Sequence, residues 1–350
     1  MAAHVHPVHC IVPPHMIEAI LLRGNQQQRR MASLLSERSV AARLQRQAAV
    51  PRGGYLARAA PKRSKPSRET YDARRREELP GSLVRKEADG PAADRTVNEA
   101  HDGAGATYEL YRAVYGRDSL DGRGMKLISS VHFDVAFNNA FWNGDQMVYG
   151  DGDGRIFVAL TRSLSVIGHE LSHGVVQFSG GLVYQDQAGA LNESFADVFG
   201  MLTVQHQKKQ NAADASWLVG DGILGPSIKG EALRSLKAPG TAYRDKLLGE
   251  DPQPFHMSDY VNTSGDNGGV HINSGIPNHA FYLLARFLGG FAWEKAGHIW
   301  YDALQKINNP HASFAQWADG TVEAARKRFG AGSLEELFTR RAWKLVGIAL

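Results

Sequence analysis

The chain has 350 residues, a formal net charge of +4, 22% charged residues and a single cysteine. One cysteine excludes any intrachain disulfide, and no uninterrupted apolar run reaches the ~18 residues that a membrane span needs. The length favours two domains around a large core.

Residues 1–68 carry 12 Lys/Arg against 2 acids, leaving 28 against 34 for the remainder. A basic leader thus precedes a mildly acidic body, and their attraction favours docking of one on the other. Few aromatics interleave with the basic residues, which argues against a nucleic-acid-binding arm. The start, Met1-Ala2-Ala3-His4-Val5-His6-Pro7, lacks the charged opening of a secretory signal, and Met16 to Leu22 is amphipathic rather than uniformly apolar. The expectation is a protein made and kept in the cytoplasm, or one that leaves by a route needing no cleaved signal. Val8 to Pro14 reads as extended, and helices follow through Arg46, with Ile17, Ile20, Leu21 and Leu22, then Met31, Leu34 and Leu35, at helical spacing. His4, His6, His9 and His15 read as solvent-exposed. Residues 56–68, rich in Pro, Arg and Lys, read as a basic linker open to cleavage.

From 69 to 100 short β-like pieces alternate with polar turns. Ala104 to Tyr115 reads as a helix, Leu127 to Phe137 as a strand, and Asn138 to Tyr149 as a further extended piece. Asp151-Gly152-Asp153-Gly154 lacks the later glutamate of an EF-hand loop and reads as a tight turn. Beyond Gln187 the pattern is mostly helical, over 190–207, 277–289, 291–307, 313–329 and 333–347.

Between these parts lies His169-Glu170-Leu171-Ser172-His173. On a helix, residues four apart lie roughly 40° apart on one face, so His169 and His173 can grip one ion together. Glu170 projects beside them, in reach of a proton on an attacking water. A catalytic zinc takes three protein ligands and keeps one position open. Glu193, twenty residues past His173 at the start of another apolar-periodic run, is the candidate third ligand. Asp197, one turn later, is placed to accept the outer ring N–H of a ligating histidine.

Several stretches resemble the thermolysin-like zinc metallopeptidases. They are Phe137-Asn138-Asn139-Ala140-Phe141-Trp142-Asn143-Gly144, the His169–His173 helix, Gly181-Leu182-Val183-Tyr184, and Asn192-Glu193-Ser194 with Asp197. The resemblance runs from about residue 70 to the C-terminus. The short basic leader is similar to those of the protealysin subgroup, whose Pro-Pro motif is matched by Pro13-Pro14.

That resemblance implies an α+β, two-domain thermolysin-like fold preceded by a short propeptide. The implied parts are a propeptide over 1–55, a linker with the processing site over 56–68, an N-terminal α+β domain with the zinc helix over 69–186, and a mainly helical domain over 187–350. It implies autocatalytic removal of the propeptide. Asn139 and Ala140 would bind extended substrate along a sheet edge. Phe157, Leu160, Val166 and Leu233 would line an apolar pocket for the residue after the scissile bond. His271 and Tyr184 would donate to the oxyanion, with Asp266 orienting His271 and raising its pKa. Arg234 would bind the substrate carbonyl, a structural ion pair being the alternative. Cys10 admits two readings: a small buried residue packing leader on body, which is favoured, or a thiolate filling the open position of zinc.

Some relatives hold paired calcium ions with acids that would fall at Ser165 and Val204, neither a carboxylate, so that double site is not expected; calcium elsewhere is left open. The implied cofactor is zinc. The implied partners are protein and peptide substrates and the chain's own propeptide, with a protein inhibitor left open and no nucleic acid or membrane. The resulting expectation is a zinc endopeptidase. Its alternatives are a zinc aminopeptidase, for which no anchor of a free N-terminus is visible, and an inactive metal-binding interaction protein, which would have no need of Glu170 and His271.

Overall fold

The computed structural model describes residues 9–49 and 65–350. His4, His6 and most of the basic linker, residues 56–64, lie outside the described residues. In the leader, β1 (His9–Cys10) leads into α1 (Pro14–Arg23) and α2 (Gln26–Ala49). Pro14 opens α1 with its preset backbone, and Met16, Ile17, Ala19 and Ile20 form the buried face. His15 departs from the expected exposed position. It is partly buried, and its Nε2 lies 3.0 Å from the Tyr243 hydroxyl.

The body begins with β2 (Arg68–Asp72), β3 (Ser82–Lys86) and α3 (Arg95–Tyr115). α3 starts nine residues before the expected helix. The Asp94 side chain caps it, accepting from Thr96 and Val97 amides, and its early apolar face is built from Val97, Ala100 and Ala104. β4 (Leu127–Val131) ends sooner than expected because His132, Asp134 and Ala136 adopt positive φ of 53°, 56° and 52°. β5 (Ala140–Trp142) and β6 (Met147–Tyr149) complete a six-stranded mixed sheet of order β1-β5-β6-β4-β2-β3. The leader therefore supplies one edge strand. It pairs antiparallel with β5, His9 opposite Trp142 and Cys10 opposite Phe141.

α4 (Leu164–Gln177) and α5 (Asp186–Lys208) form the centre of the molecule, α5 being buried from Ala188 to Gln205. They cross where Gly168 faces Gly200. A Cβ on Gly200 would stand 2.5 Å from the Ser165 carbonyl oxygen, so this crossing requires glycine. The close approach lets side chains of α5 reach those of α4.

β7 (Leu218–Val219), β8 (Arg234–Ser235), β9 (Arg244–Asp245) and β10 (Gly249–Glu250) make two small hairpin-like sheets. The helical part follows: α6 (Asp266–Asn273), α7 (Gly275–Leu288), α8 (Lys295–Lys306), α9 (Phe314–Phe329) and α10 (Leu334–Leu345). Buried aromatics join these helices, Trp300 stacking on Trp343 with ring centroids 5.6 Å apart. Among the described residues no helix is long and apolar enough to cross a membrane.

Candidate active site

α4 presents His169, Glu170 and His173, all buried. His169 and His173 stand one turn apart with their Nε2 atoms 3.0 Å from each other. α5 brings Glu193 to the same point, 3.6 Å from His169 Nε2 and 3.4 Å from His173 Nε2. Among the described residues, His169, His173 and Glu193 form the group whose ligand atoms all lie within 4.8 Å of one another.

The outer ring nitrogens decide what such a group can hold. His169 Nδ1 donates to Asp197 Oδ1 at 2.8 Å, and His173 Nδ1 donates to Asn192 Oδ1 at 2.9 Å. With Nδ1 protonated in both neutral rings, the two Nε2 lone pairs face one another beside a carboxylate. Lone pairs so placed repel unless a cation sits among them. Two imidazoles and one carboxylate are the donor set of a catalytic zinc, so the residues present fit that ion.

Glu170 lies next to this cluster. Its Oε2 accepts the Trp142 backbone N–H at 2.9 Å, which ties the carboxylate to β5. Trp142 itself is buried, its indole N–H donating to Gln177.

Asp197 is the hub of the buried polar network. Besides His169 it takes both arms of Arg234, Nε at 2.9 Å and Nη2 at 2.8 Å, and the Asn278 amide at 2.9 Å. Burial pushes this carboxyl up, but Arg234 and His169 outweigh it and hold it well below the usual carboxylate range.

α6 supplies His271. Asn267, Gly268 and Gly269 take φ of 50°, 85° and 75°, and this left-handed run turns Asp266 back toward the histidine. Asp266 accepts from His271 Nδ1 at 2.6 Å and from its backbone N–H at 2.9 Å. Burial disfavours the cationic imidazole, but the Asp266 and Glu193 carboxylates prevail and raise its pKa above the ordinary value. Gln253 holds the His271 carbonyl oxygen at 2.8 Å. Tyr184 donates its hydroxyl proton to Glu193, and its oxygen lies 3.1 Å from His271 Nε2.

The leader occupies the space these groups face. Ile11 N–H donates to the Ala140 carbonyl oxygen at 3.2 Å, and Val12 N–H donates to Asn139 Oδ1 at 3.0 Å. Arg234 Nη1 donates to the Ile11 carbonyl oxygen at 3.2 Å, and His271 Nε2 donates to that of Cys10 at 3.1 Å. The Cys10 side chain is buried in the apolar core cluster. Phe157, Leu160, Val166 and Leu233 lie in that cluster too, each at most 1% exposed.

The structure thus gathers His169, Glu170, His173, Glu193, Asp197, Tyr184, Arg234, Asp266 and His271 at one place. Arg234 pairs with Asp197 and also donates to the Ile11 carbonyl oxygen of the leader. Sequence reasoning missed Asn192, Gln253 and Asn278. Asn192 had a signal, lying beside Glu193, whereas Asn278 is 81 residues from the carboxylate it touches.

Residues 52–177 match the family model described as the thermolysin metallopeptidase catalytic domain, and residues 180–348 match that of its alpha-helical domain. An extracellular metalloprotease of Pectobacterium carotovorum subsp. carotovorum is 43% identical over 349 residues, covering 98% of this chain and 97% of that one. Protease PrtS of Photorhabdus sp. (strain Az29) is 51% identical over 284 residues, 80% of this chain and 76% of that one. The solved precursor of protealysin, a metalloproteinase from Serratia proteamaculans, superposes with a TM-score of 0.87 at 46% identity, covering 97% of this chain and 100% of that one. With the two family models together spanning most of the chain, and this structural likeness beside them, the chain belongs to the thermolysin metallopeptidases as a protealysin-like metalloendopeptidase.

Proposed function

We propose that the chain is a zinc endopeptidase that cuts before bulky apolar residues and is made as a precursor whose leader fills its own cleft. One observation carries this reading. Four groups facing the His169-His173-Glu193 cluster already hold an extended peptide, the segment from Cys10 to Val12. Backbone-directed hydrogen bonds from a sheet edge suit an enzyme that must accept many sequences. The Cys10–Ile11 peptide lies where its carbonyl meets His271 and its N–H meets Ala140, so the leader takes the place of a substrate.

Held by His169, His173 and Glu193, zinc would supply Lewis-acid chemistry that polarises a carbonyl and acidifies water. The chain's own residues do the rest. Glu170, fixed by the Trp142 amide, takes the proton of the attacking water and delivers it to the leaving amine. His271, a double donor kept protonated by Asp266, and Tyr184 stabilise the oxyanion as it forms. Asn139, Ala140 and Arg234 hold the backbone on the leaving-group side, and Phe157, Leu160, Val166 and Leu233 provide the apolar pocket. Leader removal within 56–68 opens this cleft, and Cys10 serves by packing.

The test is hydrolysis of a peptide blocked at both ends, by the processed wild type and by Glu170→Ala. Losing a general base costs about 10²- to 10⁴-fold in rate. An apolar pocket is worth about 2 kcal/mol for a buried Leu or Phe, roughly thirtyfold in kcat/KM over a small residue. Undiminished activity in the variant overturns the role of Glu170, and equal cleavage before Leu and Gly overturns the specificity. Failure on blocked peptides with release of single N-terminal residues would establish an aminopeptidase instead.

A further inference from the structure

Asn278 on α7 is fully buried, and its amide is engaged at one end only. Nδ2 donates to Asp197 Oδ2 at 2.9 Å, while Oδ1 has no hydrogen-bond partner. A buried acceptor left unmet is costly, and it marks a side chain whose other end is required. The required end is the donor. Asp197 has four lone-pair sites, and all four are taken, by His169, by Arg234 twice and by Asn278. Without the amide, Oδ1 would keep two donors and Oδ2 one, and nothing would hold the second oxygen against the pull of the arginine.

We propose that Asn278 is a positioning residue: it locks the Asp197 carboxylate so that one anion orients both the histidine of the metal cluster and the arginine that grips a peptide carbonyl. This rests on the endopeptidase reading. Its particular consequence is joint failure, since loosening Asp197 disturbs His169 and Arg234 together. A residue that merely filled space on α7 would disturb neither selectively.

The test uses the full-length chain as wild type, Asn278→Ala, Asn278→Asp and Phe281→Leu. Phe281 is buried on the same helix one turn further on and serves as the packing control. Zinc affinity is measured by competition with a chromogenic chelator, and KM and kcat on the doubly blocked peptide after processing. Asn278→Ala should weaken zinc binding severalfold, short of the about 10- to 100-fold lost when the partner of a metal-ligating histidine is itself removed, and should raise KM as Arg234 loses its brace. Asn278→Asp, which replaces a donor with a like charge, should weaken both further. Phe281→Leu should lower the thermal midpoint and leave zinc affinity and KM alone. Unchanged zinc affinity and KM in Asn278→Ala, or equal losses in Phe281→Leu, would overturn the positioning role. If the wild type bound zinc and cleaved nothing, the endopeptidase reading would fall while the zinc arm still decided the role of Asn278.

Discussion

His132 occupies a bend with a positive φ of 53° and bridges two carboxylates, Asp151 at 2.7 Å and Asp94 at 2.8 Å. The hydrogen bond to Asp151 is the largest influence on it, and with Asp94 it pushes the imidazole up to about 9 despite burial. A histidine whose folded pKa exceeds its unfolded value of about 6.5 stabilises fully below 6.5 and loses that contribution as pH rises through about 9. His132→Asn suits the left-handed bend, so the backbone is not the variable. With the acids partly exposed, the expected loss at pH 6 is about 1–2 kcal/mol, shrinking toward zero above pH 9. Denaturant unfolding at pH 6, 8 and 9.5 checks this, and an equal difference at all three pH values would contradict it. At this scale the sequence was most informative where spacing and chemistry coincide, as in His169, His173 and Glu193. Asp197, one turn after Glu193, was legible as the partner of His169, whereas Asn278 left no signal because a bond across 81 residues leaves no local pattern.

Helix α1 holds the leader strand in place, and it carries a group that titrates in the acid range. His15 meets Tyr243 at 3.0 Å; Asp266 and His271 on α6 and Arg234 on β8 also act on it, and Glu18 shares its helix. Burial dominates and lowers its pKa to about 4, Asp266 opposing and the two cations assisting. The sign is opposite to that of His132. Docking is strongest above about pH 6.5, where His15 is neutral in the released leader too, and weakens as pH falls from 6.5 toward about 4. The limiting slope is roughly tenfold in the docking constant per pH unit. Hydrogen-exchange protection of the Ile11 and Val12 amides, followed from pH 4 to 7 in the uncleaved chain, should show this slope in wild type and a flat profile in His15→Gln. A matching slope in the variant would assign the acid response to another group. Most helices were visible as apolar periodicity, and α9 and α10 began within a residue of expectation. α3 was truncated in the reading because alanines and a glycine carry its early buried face, and β4 was overextended because nothing in its composition marks three left-handed residues.

For the whole molecule, the two buried helices α4 and α5 share one cation-shaped cluster, so filling it stabilises the fold as well as the chemistry. A chelator should lower the thermal midpoint and abolish hydrolysis, and zinc should restore both. Calcium alone should restore neither. Where some relatives place calcium-binding acids, Ser165 Oγ accepts the Gly220 N–H at 2.9 Å and lies 2.9 Å from Ser163 Oγ, which in turn bonds Asp221. We propose accordingly that no paired calcium site forms there. Recovery of stability with calcium alone would contradict this. The α+β class and its two-part build were implied by the resemblance, with the shift to helical patterning beyond Gln187 agreeing, but the pairing of β1 with β5 joins residues some 130 positions apart and was not anticipated.

On the proposed precursor reading, that pairing makes latency a question of molecularity. While the leader and the body are one chain, the strand that fills the cleft competes at a local concentration fixed by its tether, and dilution cannot loosen it. Once a bond within residues 56–68 is cut, the same contacts must be remade between two molecules, and their occupancy depends on how crowded the solution is. The uncut chain should be equally silent at nanomolar and micromolar concentration. A freshly cut sample should gain specific activity on dilution, so that spreading into a larger volume completes the activation that a single cleavage begins.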